Sequence, residues 1–353
     1  MKIVVVGLSI TSSWGNGHAT NYRALVRALR ARGHSVLFLE RDVPWYAAQR
    51  DAPGTAELYT TPGELQERFA ADVADADLVV VGSFVPDGVE VAEWVTATAR
   101  GVTAFYDIDT PVTLAKLGRG DNEYLSRDLV RTFDLYLSFT GGPTLRRLEH
   151  EFGARRARAF YCVVDPRAYF PEPVAERWTL GYLGTYSRDR QPALQRLLLA
   201  TAERLPAESF VVAGPQYPDH ASWPRNVHRI DHLAPSLHRA FYNAQRLTLN
   251  VTRAEMIRAG WSPSVRLFEA AACGVPVVSD SWEGLDAFFT PGREILVARS
   301  TDDVVRLVSR ADRDALREIG QRARRRVLHE HTAERRAEQL EEYVHEVAPM
   351  VRS

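Results

Sequence analysis

The chain carries one acidic residue inside a small apolar helix with a well-marked start, within residues 261–274. Ser262 can cap this helix, and Pro263 fits its first turn. Glu269 lies further along among alanines, where a carboxylate needs a polar partner. A diphosphate at the helix start and a ribose diol beside Glu269 would suit this pattern; the alternative is an ordinary buried helix whose Glu pairs with a nearby arginine. The amides expected to face the anion, with the helix dipole behind them, belong to Ser264, Val265 and Arg266.

A second candidate group lies in the loop after the first predicted strand, which is rich in Gly, Ser and Thr. Gly15, Asn16 and Gly17 precede a predicted helix, and glycines there allow a ligand to approach the backbone closely. His18 at the start of that helix would be kept largely neutral by the positive end of the helix dipole, which suits a general base. The alternative is a histidine with a capping or other structural role.

Arginines follow predicted strands in the second half of the chain. Arg188, Arg190 and Arg253 stand close after strand ends, where guanidinium groups could neutralise a leaving diphosphate. Arg266 could contribute as well, or it could simply neutralise Glu269 across the helix face.

The elements that must position these residues alternate between apolar strands and helical patterns, which implies parallel, doubly wound sheets. A Pro-rich stretch at 165–173 is the expected linker between two domains. The segment from about 312 to 347 predicts two helices broken near His331. Strands are predicted at 3–6, 36–39, 78–81, 102–106, 135–139, 159–164, 179–183, 209–213, 246–251, 275–279 and 294–297.

Composition narrows the class of protein. With 353 residues, 45% of them apolar and 25% charged, the chain has the balance of a soluble protein with two domains. A net charge of −1 gives no field that recruits nucleic acid or an anionic membrane. Cys162 and Cys273 lie in apolar elements far apart and predict buried thiols rather than a disulfide or zinc site. Without a signal peptide or a transmembrane segment in the sequence, a cytoplasmic location is expected; the oligomeric state is not indicated.

The helix bearing Glu269 also resembles the nucleotide-sugar signature of GT-B glycosyltransferases, Glu-Ala-x-Ala-Cys-Gly-x-Pro-Val-Val. In detail the chain looks most like the transferases related to spore-maturation protein CgeB, which share runs such as those at 12–20, 105–111, 183–187 and 250–253. The resemblance implies an α/β fold with two Rossmann-like domains facing across a cleft. It places an acceptor domain at 1–170, a donor domain at 171–330 and a C-terminal helix at 331–353 that packs back on the first domain.

The resemblance implies transfer of a sugar from a nucleotide-diphosphate sugar to a small-molecule or glycan acceptor, without cofactor or metal. UDP, GDP, ADP and TDP sugars all remain open as donors. Its inverting members use a histidine in the first loop that is often oriented by an aspartate, which implies a pair of His18 and Asp109, with Asp107 as the competitor of Asp109. Retaining relatives carry a glutamate where this chain has Trp261, so inversion is favoured. The donor set also includes Gly184, Thr185 and Tyr186 from the run at 183–187.

Three other functions stay open at this stage. An NAD-dependent oxidoreductase is suggested by the early glycines and by Glu40 at the end of the second strand, but the glycine spacing does not fit. A non-catalytic nucleotide-sugar-binding protein would keep the fold without turnover. Metal-dependent transfer would have to use Asp107 and Asp109, which lie in the acceptor half. Residues 38–46, with their aromatic and charged side chains, are expected to line the acceptor site or to pack a loop.

Overall fold

A computed structural model of the chain describes residues 1–14 and 17–351. The chain divides into two compact units, the first formed by Met1–Val163 with Ala333–Ser353 and the second by Val164–Thr332. The change of unit thus precedes the expected boundary at 170. At this point the Val164 amide donates to the carbonyl of His331 (3.0 Å), and both residues belong to the second unit.

The first unit contains a seven-stranded parallel sheet in the order β3-β2-β1-β4-β5-β6-β7. The strand order reverses between β1 and β4, so the loops that follow these two strands diverge at a switch point, where α/β sheets commonly bind ligands. The strands are β1 (Lys2–Gly7), β2 (Ser35–Arg41), β3 (Glu57–Tyr59), β4 (Leu78–Gly82), β5 (Val102–Asp107), β6 (Leu135–Ser138) and β7 (Ala157–Ala159).

Helices cover both faces of this sheet. The last helix of the chain packs on α1, β5 and β6, with Leu340, Val344 and Val347 buried in the same cluster as Tyr22 and Leu29. The helices of this unit are α1 (Gly17–Ala31), α2 (Pro44–Ala47), α3 (Pro62–Asp75), α4 (Gly88–Thr98), α5 (Thr110–Gly118), α6 (Arg127–Val130), α7 (Pro143–His150) and α15 (Ala333–Val351).

The second unit contains a six-stranded parallel sheet in the order β10-β9-β8-β11-β12-β13, with its reversal between β8 and β11. Its strands are β8 (Trp178–Leu183), β9 (Phe210–Ala213), β10 (Val227–Ile230), β11 (Gln245–Asn250), β12 (Val277–Ser279) and β13 (Leu296–Val297). Its helices are α8 (Gln191–Leu194), which continues through a π-helical turn (Gln195–Leu199) into α9 (Ala200–Arg204), then α10 (Pro235–Asn243), α11 (Ala254–Ala259), α12 (Val265–Ala272), a 3-10 turn (Leu285–Ala287), α13 (Thr301–Arg310) and α14 (Arg313–Glu330).

The predicted fold class is confirmed, since both sheets are parallel and flanked by helices. The structure adds two short edge strands, β3 and β10, whose sequences contain charged residues and lack an apolar run. Residues 160–164, predicted as strand, lie beyond the end of β7. Among the described helices, none combines the length and apolar character needed to cross a membrane.

Candidate active site

Three segments meet in the second unit at the edge where β8 and β11 end. The loop after β8 begins with Gly184, and a Cβ at this position would lie 2.9 Å from Nη2 of Arg266 on α12 and 2.6 Å from the hydroxyl of Tyr182. The Gly184 amide donates to the carbonyl of Ala213 (2.8 Å). A larger residue at position 184 would displace the arginine, so glycine allows the loop and α12 to come together here.

Helix α12 begins at Val265, with Ser264 as its N-cap residue. The prediction that Ser262 caps the helix was therefore wrong. The Ser264 side chain does not cap the first turn either, because its hydroxyl donates to Oδ1 of Asn250 (2.7 Å). The first-turn amides of Val265 and Arg266 point along the helix axis without an intrahelical acceptor, which is the arrangement that binds anions.

Arg266 is held rigidly in the first turn of α12. Its Nη1 donates to Oδ1 of Asn250 (2.9 Å), its Nε donates to the carbonyl of Leu183, and its guanidinium lies 4.8 Å from the ring centroid of Tyr182. Within the described residues no ion pair joins it to Glu269, so the alternative in which these two neutralise each other is not what the structure shows.

A second guanidinium, that of Arg190, lies close to Arg266. Burial lowers the pKa of Arg190, and the positive charges of Arg266 and Arg253 lower it further. Its Nη2 donates to the carbonyl of Thr185 (2.7 Å), while its buried Nε has no hydrogen-bond partner in the described part of the chain. The guanidiniums of Arg190 and Arg266 repel each other, and an anion bound between them would relieve this repulsion. Arg188 is exposed and does not contribute to these interactions.

Glu269 is 5% exposed, and its partner in the structure is a tyrosine. The hydroxyl of Tyr242 donates to Oε2 (3.0 Å). Burial raises the pKa values of Tyr242 and Tyr169 well above the usual range, and the nearby charge of Glu269 raises them further. The carboxylate is therefore kept in place by a neutral donor, the Tyr242 hydroxyl. The ribose contact expected for Glu269 stays a prediction.

Two residues that order this edge were not identified from the sequence as site residues. Asn250, at the end of β11, accepts from Ser264 and Arg266 through Oδ1 and donates through Nδ2 to Ser279 (3.0 Å). Asp280, after β12, accepts from the amide (2.9 Å) and hydroxyl (2.7 Å) of Thr252. The sequence signal that could have identified them is a polar residue at the end of each of two neighbouring buried strands. Asn250 and Asp280 both position the segments around Arg253 and Arg266.

Trp261 occupies the position where retaining relatives carry a glutamate. Its backbone adopts a left-handed conformation with φ 42°, which is strained for a bulky residue. Its indole packs so closely on Gly284 that a Cβ there would lie 2.5 Å from the ring, and its amide donates to the carbonyl of Glu283 (2.7 Å). This segment joins α11 to α12 and contributes an aromatic ring where those relatives have a carboxylate.

In the first unit, Glu40 fixes the loop that follows β1. Its carboxylate is fully buried and accepts from the amides of Ile10 (2.7 Å) and Thr11 (3.0 Å) and from the hydroxyls of Ser9 (2.9 Å) and Thr11 (2.6 Å). Both oxygens are therefore used inside the protein. A ribose could not displace these four bonds without unfolding the loop, which argues against a dinucleotide at this position.

His18 lies in the first turn of α1, directly after this loop, and its ring contacts that of Phe84 edge-on, with 5.8 Å between centroids. Burial lowers its pKa to about 4. An imidazole with this pKa is neutral at pH 7, and the cause is desolvation, whereas the helix dipole was the cause expected from the sequence. Gly17 is the first residue of α1, whereas Gly15 and Asn16, also predicted for this loop, lie outside the described residues.

Asp107 and Asp109 follow β5 and differ sharply in environment. Asp107 is fully buried and accepts from the hydroxyls of Tyr136 (2.5 Å) and Thr113 (2.7 Å) and from the Asp109 amide (3.2 Å). Burial raises its pKa to about 6 despite these bonds. Asp109 occupies the N-cap position of α5 and is only partly buried. The structure thus places Asp107 behind the surface, where it orients the Asp109 backbone.

His18 and Asp109 line one cavity of about 950 Å³ in the first unit. It opens at the switch point of the sheet, between the loops that follow β1, β4 and β5. Trp45 and Tyr46, within the segment expected to line an acceptor site, also face it, whereas Phe38 is buried in the core. Phe84, in the left-handed region with φ 63°, is strained, as residues at binding sites often are.

The buried Asp107 gives a prediction about stability. Because the folded pKa of Asp107, about 6, lies above the usual aspartate value of 3.8, Asp107 favours folding at low pH, and this contribution is lost as the pH rises through about 6. Asp107→Asn removes the titration. We expect the variant to gain up to about 3 kcal/mol of unfolding free energy relative to the natural chain between pH 4 and pH 7. Urea denaturation of both proteins at each pH measures this difference; a difference independent of pH would contradict the prediction.

The comparisons with known proteins agree with this architecture. Residues 190–342 match the family described as glycosyl transferase-like. No curated protein matches the sequence significantly. Among solved structures, the chain is similar to Anabaena HepE in complex with UDP-glucose (15% identity, TM-score 0.69), with 98% of this chain and 100% of that one covered.

Two further structures show the same fold over their whole length. One is sucrose-phosphate synthase from Thermosynechococcus elongatus (13% identity, TM-score 0.66, 99% of this chain and 100% of that one). The other is an alpha-glucosyltransferase in complex with UDP-glucose and DNA containing an abasic site (13% identity, TM-score 0.72, 98% of this chain and 99% of that one). The chain therefore has the two-domain α/β fold of GT-B glycosyltransferases, which confirms the predicted fold, and its residues 190–342 are similar to the glycosyl transferase-like family.

Proposed function

We propose that this protein transfers a sugar from a nucleoside-diphosphate sugar to a hydroxyl or amine of a small-molecule or glycan acceptor, with inversion and without a metal ion. The observation that carries this proposal is the set of Arg190, Arg253 and Arg266 beside the uncapped start of α12. Together with the first-turn amides of α12, these guanidiniums would form an anion site. A diphosphate would satisfy it.

The donor is proposed to be a UDP sugar. The protein itself is proposed to belong to the transferases related to CgeB and to act in the cytoplasm. The solved structures of HepE and of the alpha-glucosyltransferase contain UDP-glucose, which supports this base as the first to test. Glu269 would accept hydrogen bonds from the ribose hydroxyls while Tyr242 holds it in place. The remaining members of the predicted donor set are the backbone residues Gly184, Thr185 and Tyr186, which would contact the diphosphate or the base.

In the proposed reaction, neutral His18 accepts the proton of the acceptor hydroxyl or amine as that atom attacks the anomeric carbon. The bond from this carbon to the diphosphate oxygen breaks with its electron pair on the leaving group. The three guanidiniums and the amides of Val265 and Arg266 stabilise the added negative charge. Asp109 would stabilise the imidazolium that forms, since both residues line the same cavity. Trp261 supports inversion, because retaining relatives carry a glutamate at this position and this chain has no carboxylate there.

Metal independence is proposed because the developing charge already has three cationic side chains to neutralise it. Among the described residues, no group of three or more histidine, cysteine and acidic side chains is arranged to hold a metal ion. Asp107, one half of the only pair considered for a metal, uses its oxygens to accept from Tyr136, Thr113 and the Asp109 amide. Activity that disappears with chelator and returns with a divalent ion would contradict this part.

The function is tested with a panel of UDP, GDP, ADP and TDP sugars. We expect one UDP sugar to raise the melting temperature, and mass spectrometry of mixtures with candidate acceptors to show addition of one sugar residue. Stabilisation by NAD instead would favour the oxidoreductase. Donor binding without any transfer, across acceptors that bind the protein, would favour the non-catalytic alternative.

A further inference from the structure

The cavity in the first unit indicates which acceptors this protein can use, and this inference rests on the proposed function. Its volume of about 950 Å³ can hold a molecule of one or two rings. Its lining combines aromatic rings with carboxylates. The aromatic side chains that line it are Trp45, Tyr46, Phe84 and Tyr124, and the acidic ones are Asp87, Asp109 and Glu123.

Trp45 provides an exposed stacking surface, while Tyr46 and Tyr124 are buried behind the cavity wall. Trp45 is 65% exposed, although an indole of this size is normally buried, and its ring meets that of Tyr46 edge-on at 5.7 Å between centroids. Phe84 packs against Tyr124 at 4.6 Å between centroids and against His18. A flat ring system bound here would cover Trp45 and lie near the proposed base.

The charges select the sign of the ligand. Among the described residues that line the cavity, none is lysine or arginine, and His18 is neutral because burial lowers its pKa. Asp87 and Glu123 pair with Arg41 and Lys116, but these two cations do not line the cavity. These ion pairs offset part of the negative charge, but the side chains that line the cavity themselves are acidic or neutral, so a cationic group there is favoured over an anionic one.

We propose that the natural acceptor is a small ring compound that carries a protonated amine, and that phosphorylated or carboxylated acceptors are excluded. The aromatic rings would hold its flat face, and Asp87 and Glu123 would attract the ammonium group. A hydroxyl or a second, uncharged amine of the same molecule would supply the attacking atom. This selectivity resides in the first unit and does not depend on which nucleotide sugar is the donor.

The test uses three probes of equal size that differ in charge: tyramine, tyrosol and 4-hydroxyphenylacetate. Ligand-observed NMR titrations on the full chain, without donor, are expected to show tyramine binding roughly tenfold more tightly than tyrosol and tyrosol more tightly than 4-hydroxyphenylacetate, with the differences shrinking in 0.5 M salt. Trp45→Ala is expected to weaken all three probes to a similar extent.

The variants separate cavity charge from overall charge. Asp87→Asn with Glu123→Gln is expected to abolish the preference for tyramine, and asparagine tolerates the left-handed backbone of position 87 (φ 53°). Glu67→Gln, at an exposed position on α3 outside the cavity, also removes one negative charge from the protein and should leave the preference for tyramine intact.

The inference is overturned if tyrosol or 4-hydroxyphenylacetate binds as tightly as tyramine, or if the double variant keeps the preference. These outcomes are distinguishable from failure of the proposed function. A chain that binds UDP sugars but prefers the anionic probe loses only this inference. A chain that prefers tyramine but neither binds nor uses any nucleotide sugar loses the proposed function.

Discussion

His18→Ala is expected to lower turnover by roughly 10²- to 10⁴-fold while the affinity for the nucleotide sugar stays unchanged. The reason is that the variant loses the proposed general base, and the donor site on the second unit keeps all its groups. Turnover is measured by product formation, and donor affinity by calorimetry. His150→Ala, at an exposed position near the end of α7, is the matched control and should retain full activity.

The pH profile gives this prediction a signature that a structural histidine would not show. Because the pKa of His18 is lowered to about 4, the base stays unprotonated well below the usual histidine range. We expect kcat/KM to hold as the pH falls from 7 to about 5 and to drop through about 4, with circular dichroism at each pH to confirm folding. An acidic limb near pH 6.5, or equal limbs in the natural chain and His18→Ala, would show that another group is the base.

Arg190→Met is expected to weaken binding of UDP by roughly 10- to 100-fold and to leave binding of uridine unchanged. A guanidinium makes charge-assisted hydrogen bonds to phosphate, and each is worth about 1.5 to 3 kcal/mol. The effect should be large because Arg190 is half-buried near Arg253 and Arg266, where solvent screens its charge less than that of an exposed arginine. Calorimetric titration with both ligands measures the two affinities.

Arg188→Met is the matched control for this prediction. It lies two residues away in the same loop and makes the same chemical change, but its side chain is exposed. It should bind UDP as the natural chain does. If both variants lose affinity equally, the contribution of Arg190 is no more than general positive charge; if Arg190→Met also loses uridine, the substitution has distorted the loop.

The sequence predicted the fold well because its strands are buried on both faces of parallel sheets and read as continuous apolar runs. β4 (Leu78–Gly82) and β9 (Phe210–Ala213) are of this kind. The same signal is missing from β3 and β10. Both are short strands at a sheet edge, where side chains are partly exposed to solvent and need not be apolar. The change of unit at Val164, where the backbone bonds to His331, leaves no trace in residue type.

Site residues could be predicted only as types at strand ends. Arg188 and Arg190 are equivalent in sequence, and the fold alone separates the exposed side chain from the half-buried one. Asp107 and Asp109 are likewise equivalent until the structure places the first behind the surface, bonded to Tyr136 and Thr113. The N-cap is Ser264 rather than Ser262, and its hydroxyl bonds to Asn250, a contact that residue type does not predict.

By itself, the sequence determined the two parallel sheets, the helix that carries Glu269 and the glycine-rich loop before His18, since each follows from local patterns of apolarity, capping and chain flexibility. Only the tertiary structure decided which charges act together. Arg190 follows β8, and Arg253 and Arg266 follow β11. These three side chains come near one another because β8 and β11 are neighbours in the sheet, although more than sixty residues separate the two strands in the chain. Electrostatic energy depends on distance and burial, and neither can be read from residue order.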